Sequence, residues 1–271
     1  MTRVGLLIRV APVVGKEAFD LVWRRSMTSA TITPGGATFM ASSWSRSSDM
    51  SHDVVFLFDV DNTLLDNDRF QGELRAHLSA AYGDEARDRY WGHFEELWGE
   101  LGYADYLGAV ERYRLDAPHD RAALRLGGWI LNYPFPDLLY PGAFEAVRHV
   151  GQFGRTVVLS DGDAVFQPRK VDRSGLWKEF DDNVLIYVHK QKELAAIERA
   201  YPARRYVLID DKIAILDAVK QGWGKRVTTV FPKQGHYAFD PALLAAHPAA
   251  DATIGRIADL MTIDLPRLKR P

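Results

Sequence analysis

Val54-Val55-Phe56-Leu57-Phe58-Asp59-Val60-Asp61-Asn62-Thr63-Leu64-Leu65 opens with five apolar residues that run directly into an aspartate. The run is too short for a typical helix and reads as a strand buried on both faces. Two carboxylates then come two residues apart, where the strand should stop. An open parallel α/β sheet binds ligands just outside the C-terminal ends of its strands, so Asp59 and Asp61 are delivered to that edge. Extended geometry points both to the same side. Two carboxylates that close need a cation or a shared proton between them. A plain Asx-rich turn is the competing reading of the same residues.

The rest of the 271-residue chain gives this strand its context. The length allows one large domain, or a domain carrying a smaller inserted one. Hydrophobic residues make up 47% and charged residues 26%, as in ordinary globular proteins. A net charge of -2 gives no electrostatic case for nucleic acid or acidic membranes. No apolar run approaches the length of a membrane-spanning helix. The chain has no cysteine, which excludes disulfides, thiolate metal sites and cysteine nucleophiles. A cytoplasmic setting is the expectation.

Residues 1–50 differ in character from the rest of the chain. The tract from Ser26 to Ser48 is rich in Ser, Thr and Gly and lacks periodicity. Arg24-Arg25 invites an export-signal reading, but Thr31-Ile32-Thr33-Pro34-Gly35-Gly36 is too polar for a signal core. The segment reads as a disordered leader. Met40 and Met50, just ahead of the first strand, leave open a start codon placed too early.

After Leu65 the pattern becomes helical. Phe70, Leu74, His77 and Leu78 fall at helical spacing, as do Tyr90, Phe94, Leu97, Trp98 and Leu101. The aromatic stripe reads as helix-packing core. Residues 67–138 are expected to form an inserted helical cap, with residues 51–66 and 139–271 as the core domain. Four further short apolar runs, Thr156–Leu159, Val184–Val188, Tyr206–Ile209 and Val227–Phe231, alternate with helical segments. The result is an α/β fold, a doubly wound parallel sheet of five strands with right-handed, Rossmann-like crossovers.

Four successive strands end in chemically useful groups: Asp59/Asp61, Ser160, Lys190 and Asp210/Asp211. All would gather on one edge of the sheet. Clustered aspartates suit a hard divalent cation such as magnesium. A hydroxyl and an ammonium beside it suit the equatorial oxygens of a phosphoryl group. Lys170 and Lys192 compete with Lys190 for the ammonium role. Lys190 is preferred because it falls at a strand exit. His236 is read as an exposed loop residue and Asp217 as an exposed helix charge.

This order and spacing resembles the haloacid dehalogenase superfamily from residue 54 to about 231. Phe58-Asp59-Val60-Asp61-Asn62-Thr63-Leu64 looks like its first motif, Val158-Leu159-Ser160 the second, Lys190 the third, and Ile209-Asp210-Asp211 the fourth. The resemblance implies Asp59 as nucleophile and Asp61 as acid and base. It implies magnesium (Mg2+) held by Asp59, the backbone carbonyl of Asp61, Asp211 and Asp210. Ser160 and Lys190 would bind the phosphoryl group, and Thr63 would support the loop. The founding dehalogenases lack the second aspartate of the first motif, so Asp61 points to a phosphatase acting on a small phosphorylated metabolite. A phosphomutase, or a silent binding protein on the same fold, shares these residues. The cap is expected to choose the substrate, and Arg69, His93, Arg112, Arg114 and His119 are its charged candidates.

Overall fold

β1 (His52–Phe58) lies inside a fully parallel sheet. The other strands are β2 (Arg155–Asp161), β3 (Val184–Tyr187), β4 (Ala203–Ile209), β5 (Val227–Pro232) and β6 (Ala252–Ile254). Their order is β3-β2-β1-β4-β5-β6. The structure is a computed structural model and describes residues 52–263. The expected leader, residues 1–50, lies outside the described residues.

Alternation within β1 explains its unbroken apolar sequence. Val54, Phe56 and Phe58 enter the hydrophobic core on one face of the sheet, while Val55 and Leu57 enter the core on the other. Every position therefore faces a covering layer, and none needs to be polar. The first core takes Ala146, Val147 and Val150 from α5 (Ala143–Gly151). The second takes Ile197 from α8 (Leu194–Ala200), and Leu216, Val219 and Trp223 from α9 (Ile213–Trp223). Each fully buried Val, Leu or Phe side chain contributes roughly 1.5–3 kcal/mol by leaving water.

The sheet has six strands where the sequence suggested five. Ala252-Thr253-Ile254 pairs with β5 at Val230, Phe231 and Pro232. Three residues carry too little periodicity to stand out from a loop, and it is the neighbouring strand that makes them one.

Between β1 and α5 the chain is helical. It forms α1 (Asn67–Tyr82), α2 (Asp84–Leu101), α3 (Tyr106–Asp116) and α4 (Ala122–Leu131), then a 3-10 turn at Phe135–Leu138. The Asp66 side chain caps α1 by accepting from Arg69 N at 2.9 Å. The Asp105 side chain caps α3 by accepting from Gly108 N at 2.7 Å.

Phe70 on α1 ties this helical layer to the sheet domain. Its ring lies 5.2 Å from Tyr106, 5.0 Å from Tyr133, 5.9 Å from Phe135 and 5.6 Å from Phe166, centroid to centroid. Phe166 begins α6 (Phe166–Arg173), the helix after β2, so insertion and core share one continuous apolar cluster. α7 (Leu176–Glu179) and α10 (Pro241–Ala246) are single short turns. Among the described residues, no helix is long and apolar enough to cross a membrane.

Candidate active site

Register delivers the site. Phe58 of β1 pairs with Val158 of β2 and with Ile209 of β4. The next residues out, Asp59, Leu159-Ser160 and Asp210-Asp211, therefore emerge at one level. Asp59 N donates to Ile209 O at 2.9 Å, extending the ladder by one bond before the chain turns.

The turn is tight. Leu64 N and Leu65 N both donate to Val60 O, at 2.9 and 3.0 Å, and Asn62 takes a left-handed φ of 60°. Asparagine tolerates that conformation better than most residues. Its Oδ1 accepts from Asn67 N at 2.9 Å and Asp68 N at 3.1 Å, so the turn and the start of α1 hold each other. Asp59 and Asp61 reach different neighbours. Asp59 faces Lys190 and Asp210, and Asp61 faces α6.

Thr63 Oγ1 accepts from Asp211 N at 3.1 Å, joining the turn to the end of β4. Asp59, Asp210 and Asp211 are buried, and a carboxylate oxygen from each lies within 4.8 Å of the others. Both carboxylate oxygens of Asp211 are buried with no hydrogen-bond partner among the described residues. Burial, then Lys190 and the neighbouring Asp210, set the Asp59 carboxyl, which is pushed up to about 6. Burial beside Asp59 and Asp210 pushes Asp211 well above the usual carboxylate range. Unpaired buried carboxylates are costly, and either a proton or a divalent cation removes the cost. An all-oxygen donor set suits magnesium.

Two of the three competing lysines enter the site. Lys190 is buried, with its ammonium against the Asp59 carboxylate, 2.7 Å from Asp210 Oδ2 and 3.2 Å from Leu159 O. Burial opposes its charge, but Asp210, Asp59 and Asp161 outweigh burial and raise its pKa. Lys170, on α6, is fully buried and reaches Asp61 Oδ1 at 2.7 Å and Asn67 Oδ1 at 3.2 Å. Lys192 is exposed. Ser160 Oγ accepts from Gln167 Nε2 at 2.9 Å, and the same amide reaches Asp61 Oδ2 at 3.2 Å. Asp163 accepts from Val165 N and Phe166 N, both at 2.7 Å, and so starts the helix that carries Gln167 and Lys170.

Three residues beyond the sequence candidates belong here. Lys212, directly after Asp211, lines the site pocket, and Asp211 and Asp59 overcome the burial that opposes its charge. Gln234 Nε2 donates to Thr63 O at 3.1 Å. His236 is exposed, as expected, but its backbone N–H donates to Asp68 Oδ2 at 2.7 Å and its ring meets Asp68 Oδ1 at 2.6 Å. Asp217, expected as an exposed charge, is held by Gln221 at 3.0 Å and His247 at 2.9 Å.

A cavity of about 250 Å³ opens from Asp61 into the helical layer, where Trp91, Phe94, Trp98 and Tyr103 form its walls. The aromatic stripe of α2 is thus core on one side and cavity wall on the other. Arg75 lines the cavity with its guanidinium 3.6 Å above the Trp91 ring. None of Arg69, His93, Arg112, Arg114 and His119 lines it. Arg112 instead pairs with Glu100 at 2.6 Å and Arg114 with Glu111 at 3.0 Å. A larger open cleft lies elsewhere, against Arg155 and Thr156 at the opposite end of β2.

No protein-family model and no curated protein matches the chain. Solved structures do. A haloacid dehalogenase-like hydrolase from Burkholderia xenovorans LB400 is 56% identical, with a TM-score of 0.76, over 79% of this chain and 99% of that one. The L-2-haloacid dehalogenase from Xanthobacter autotrophicus is 16% identical, with a TM-score of 0.52, over 79% of this chain and 97% of that one. The HAD hydrolase YfnB from Bacillus subtilis, bound to magnesium, is 15% identical, with a TM-score of 0.52, over 77% of this chain and 98% of that one. The last two share the fold alone. The likeness to the first covers that protein almost end to end, and with it the chain belongs to the haloacid dehalogenase superfamily and is a hydrolase of that type.

Proposed function

We propose that the protein is a magnesium-dependent phosphomonoester hydrolase acting on a small phosphorylated metabolite through an aspartyl-phosphate on Asp59. The observation that carries this reading is the Asp59–Asp210–Asp211 cluster, whose Asp211 carboxylate is buried without a donor. Asp59, Asp210 and Asp211, with the backbone carbonyl of Asp61, would hold the cation. When bound, it supplies positive charge against phosphoryl oxygens.

The chain's own groups do the bond making. Asp59 attacks phosphorus, and the P–O bond to the alcohol breaks as the new bond forms. Asp61 gives its proton to the departing alkoxide. It then takes a proton from water, which attacks the phosphorus of the aspartyl-phosphate. Inorganic phosphate leaves and the Asp59 carboxylate is restored. Lys190 holds Asp59 in place, and Ser160, fixed by Gln167, offers its hydroxyl to a phosphoryl oxygen. Displacement of halide from carbon would leave Asp61 without a task, because a halide leaves unprotonated. The cavity of about 250 Å³ is below the range that drug-sized ligands fill, which favours a small leaving group.

The test is turnover of p-nitrophenyl phosphate and of a panel of small sugar and carboxylic acid phosphates. Magnesium should support it, chelator should stop it, and Asp59→Asn should abolish it while the fold persists. Full activity in excess chelator, or release of halide from 2-haloacids with no phosphatase activity, would overturn the reading.

A further inference from the structure

Three lysines enter the site, and two of them are already committed. An ammonium has three N–H groups. Around Lys190 stand three oxygens, from Asp59, Asp210 and the Leu159 carbonyl. Lys170 is engaged by Asp61 and Asn67, and its remaining side faces the Phe166 ring at 4.9 Å. Lys190 has no N–H left for a ligand, and the one that Lys170 keeps is turned to the aromatic cluster and not to the carboxylates. Both charges are also balanced by aspartates before any substrate arrives.

Lys212 is arranged differently. It lines the same cavity as Asp61, and its backbone N–H donates to Asp210 Oδ1 at 2.9 Å, which fixes the start of its side chain. Among the described residues its ammonium makes no hydrogen bond or ion pair. It stands over the face of Tyr237, with the ammonium 5.1 Å from the ring centroid. A ring face holds a cation in place without using its hydrogen-bond donors. Tyr237 is itself positioned by the loop that Gln234 and His236 pin to Thr63 and Asp68. The result is a free ammonium, held from two sides, at the mouth of the carboxylate cluster.

We propose that Lys212 is the side chain that contacts the tetrahedral dianion, the phosphoryl group of the substrate or the inorganic phosphate released from it. This rests on reading the site as one for phosphoryl groups, and it adds Lys212 to Ser160 as a phosphate contact. Lys190 is then the positioning residue of Asp59. A phosphoryl group brings two negative charges into a cluster already rich in carboxylates, and Lys212 is the lysine there that Asp211 and Asp59 act on without taking any of its N–H groups.

The experiment is calorimetric titration of inorganic phosphate, and separately of magnesium, into the wild type, Lys212→Met and Lys212→Arg. Loss of one charge-assisted contact predicts phosphate binding weaker by about tenfold to a hundredfold in Lys212→Met. Magnesium affinity should not weaken, and Lys212→Arg should recover part of the loss. Unchanged phosphate affinity in Lys212→Met would overturn the assignment. So would tighter magnesium binding with unchanged phosphate affinity, since Lys212 would then only balance the carboxylates. A wild type that binds no phosphate with magnesium present would overturn it as well. A wild type that binds phosphate through Lys212 but hydrolyses no phosphomonoester would support the assignment and sink the phosphatase reading.

Discussion

Lys170 Nζ lies 2.7 Å from Asp61 Oδ1, and the lysine is fully buried while the aspartate is partly open to the cavity. Gln167 holds the other Asp61 oxygen, one turn earlier on the same helix. The aspartate that would exchange protons with substrate is therefore aimed by α6, a helix that carries none of the buried carboxylate cluster. Lys170 also meets Asn67, whose amide reaches the Tyr106 hydroxyl at 3.3 Å, so the same lysine senses the helical layer.

Replacing Lys170 by Met should separate these roles. Methionine fills similar apolar space among Phe70, Tyr106 and Phe166 but cannot hold Asp61. We expect kcat on a phosphomonoester to fall by about a hundredfold, the lower end of what a general acid-base group contributes. Magnesium affinity should stay as it is, because Lys170 touches none of Asp59, Asp210 and Asp211. Steady-state kinetics with a magnesium titration checks both, and an unchanged kcat would remove Lys170 from the mechanism.

The carboxylate cluster makes a pH prediction with a definite sign. In the metal-free protein the Asp59 carboxyl is pushed from its ordinary 3.8 up to about 6, mainly by burial. A group whose folded pKa is raised contributes stability below its unfolded pKa and loses it as pH rises through the folded one. Metal-free wild type should therefore lose stability relative to Asp59→Asn, in which the group carries no charge, as pH rises from about 4 to about 7. Magnesium should shrink that gap by stabilising the wild type, and its apparent affinity should fall as pH drops below about 6 because protons compete for the same oxygens. Thermal melts of both proteins across pH, with and without chelator, provide the check. A gap that narrows with rising pH in chelator would contradict the burial argument.

How much of this site was legible in the sequence depends on where each residue sits. Strands covered on both faces must be apolar throughout, so β1, β2, β4 and β5 stood out, and polar residues at their exits marked Asp59, Ser160 and Asp210-Asp211. Lys170 gave no such signal because it lies inside a helix. Its clue was phase, since Phe166, Gln167, Lys170 and Val171 form the buried stripe of α6, and a lysine there must have a partner. Lys212 was hidden behind the two aspartates that precede it. Gln234 and His236 come from a loop after β5, and only the folded chain brings them against Thr63 and Asp68, 171 and 168 positions earlier.

That loop leads to a third prediction. Gly235 has a φ of 68°, and a Cβ added to it would overlap the Asn62 side chain. Gly235→Ala must both strain the backbone and displace Asn62, the residue that joins the Asp59–Asp61 turn to α1. We expect a stability loss on the order of 1–3 kcal/mol together with a drop in kcat. Gly83 also has a positive φ, of 89°, but open space around its Cβ position, so Gly83→Ala should cost stability without touching kcat. Equal kinetics in the two variants would show that the loop is no part of the site's support.

The last prediction concerns Phe70, the ring on which the helical layer and the core converge. It is fully buried and surrounded by Tyr106, Tyr133, Phe135 and Phe166. Truncation to alanine removes a large apolar side chain from a site where several neighbours are aromatic and cannot easily collapse inward. The expected cost is about 3–5 kcal/mol, the sum of lost transfer energy and the cavity left behind. Because Phe166 starts the helix carrying Gln167 and Lys170, the loss should also reach Asp61 and lower kcat. Phe70→Leu, which keeps most of the volume, should recover much of both. Denaturant unfolding and kinetics on the same preparations would test this coupling. A Phe70→Ala protein with the full stability loss and wild-type kcat would mean that the aromatic cluster holds the layers together without aiming the acid-base group.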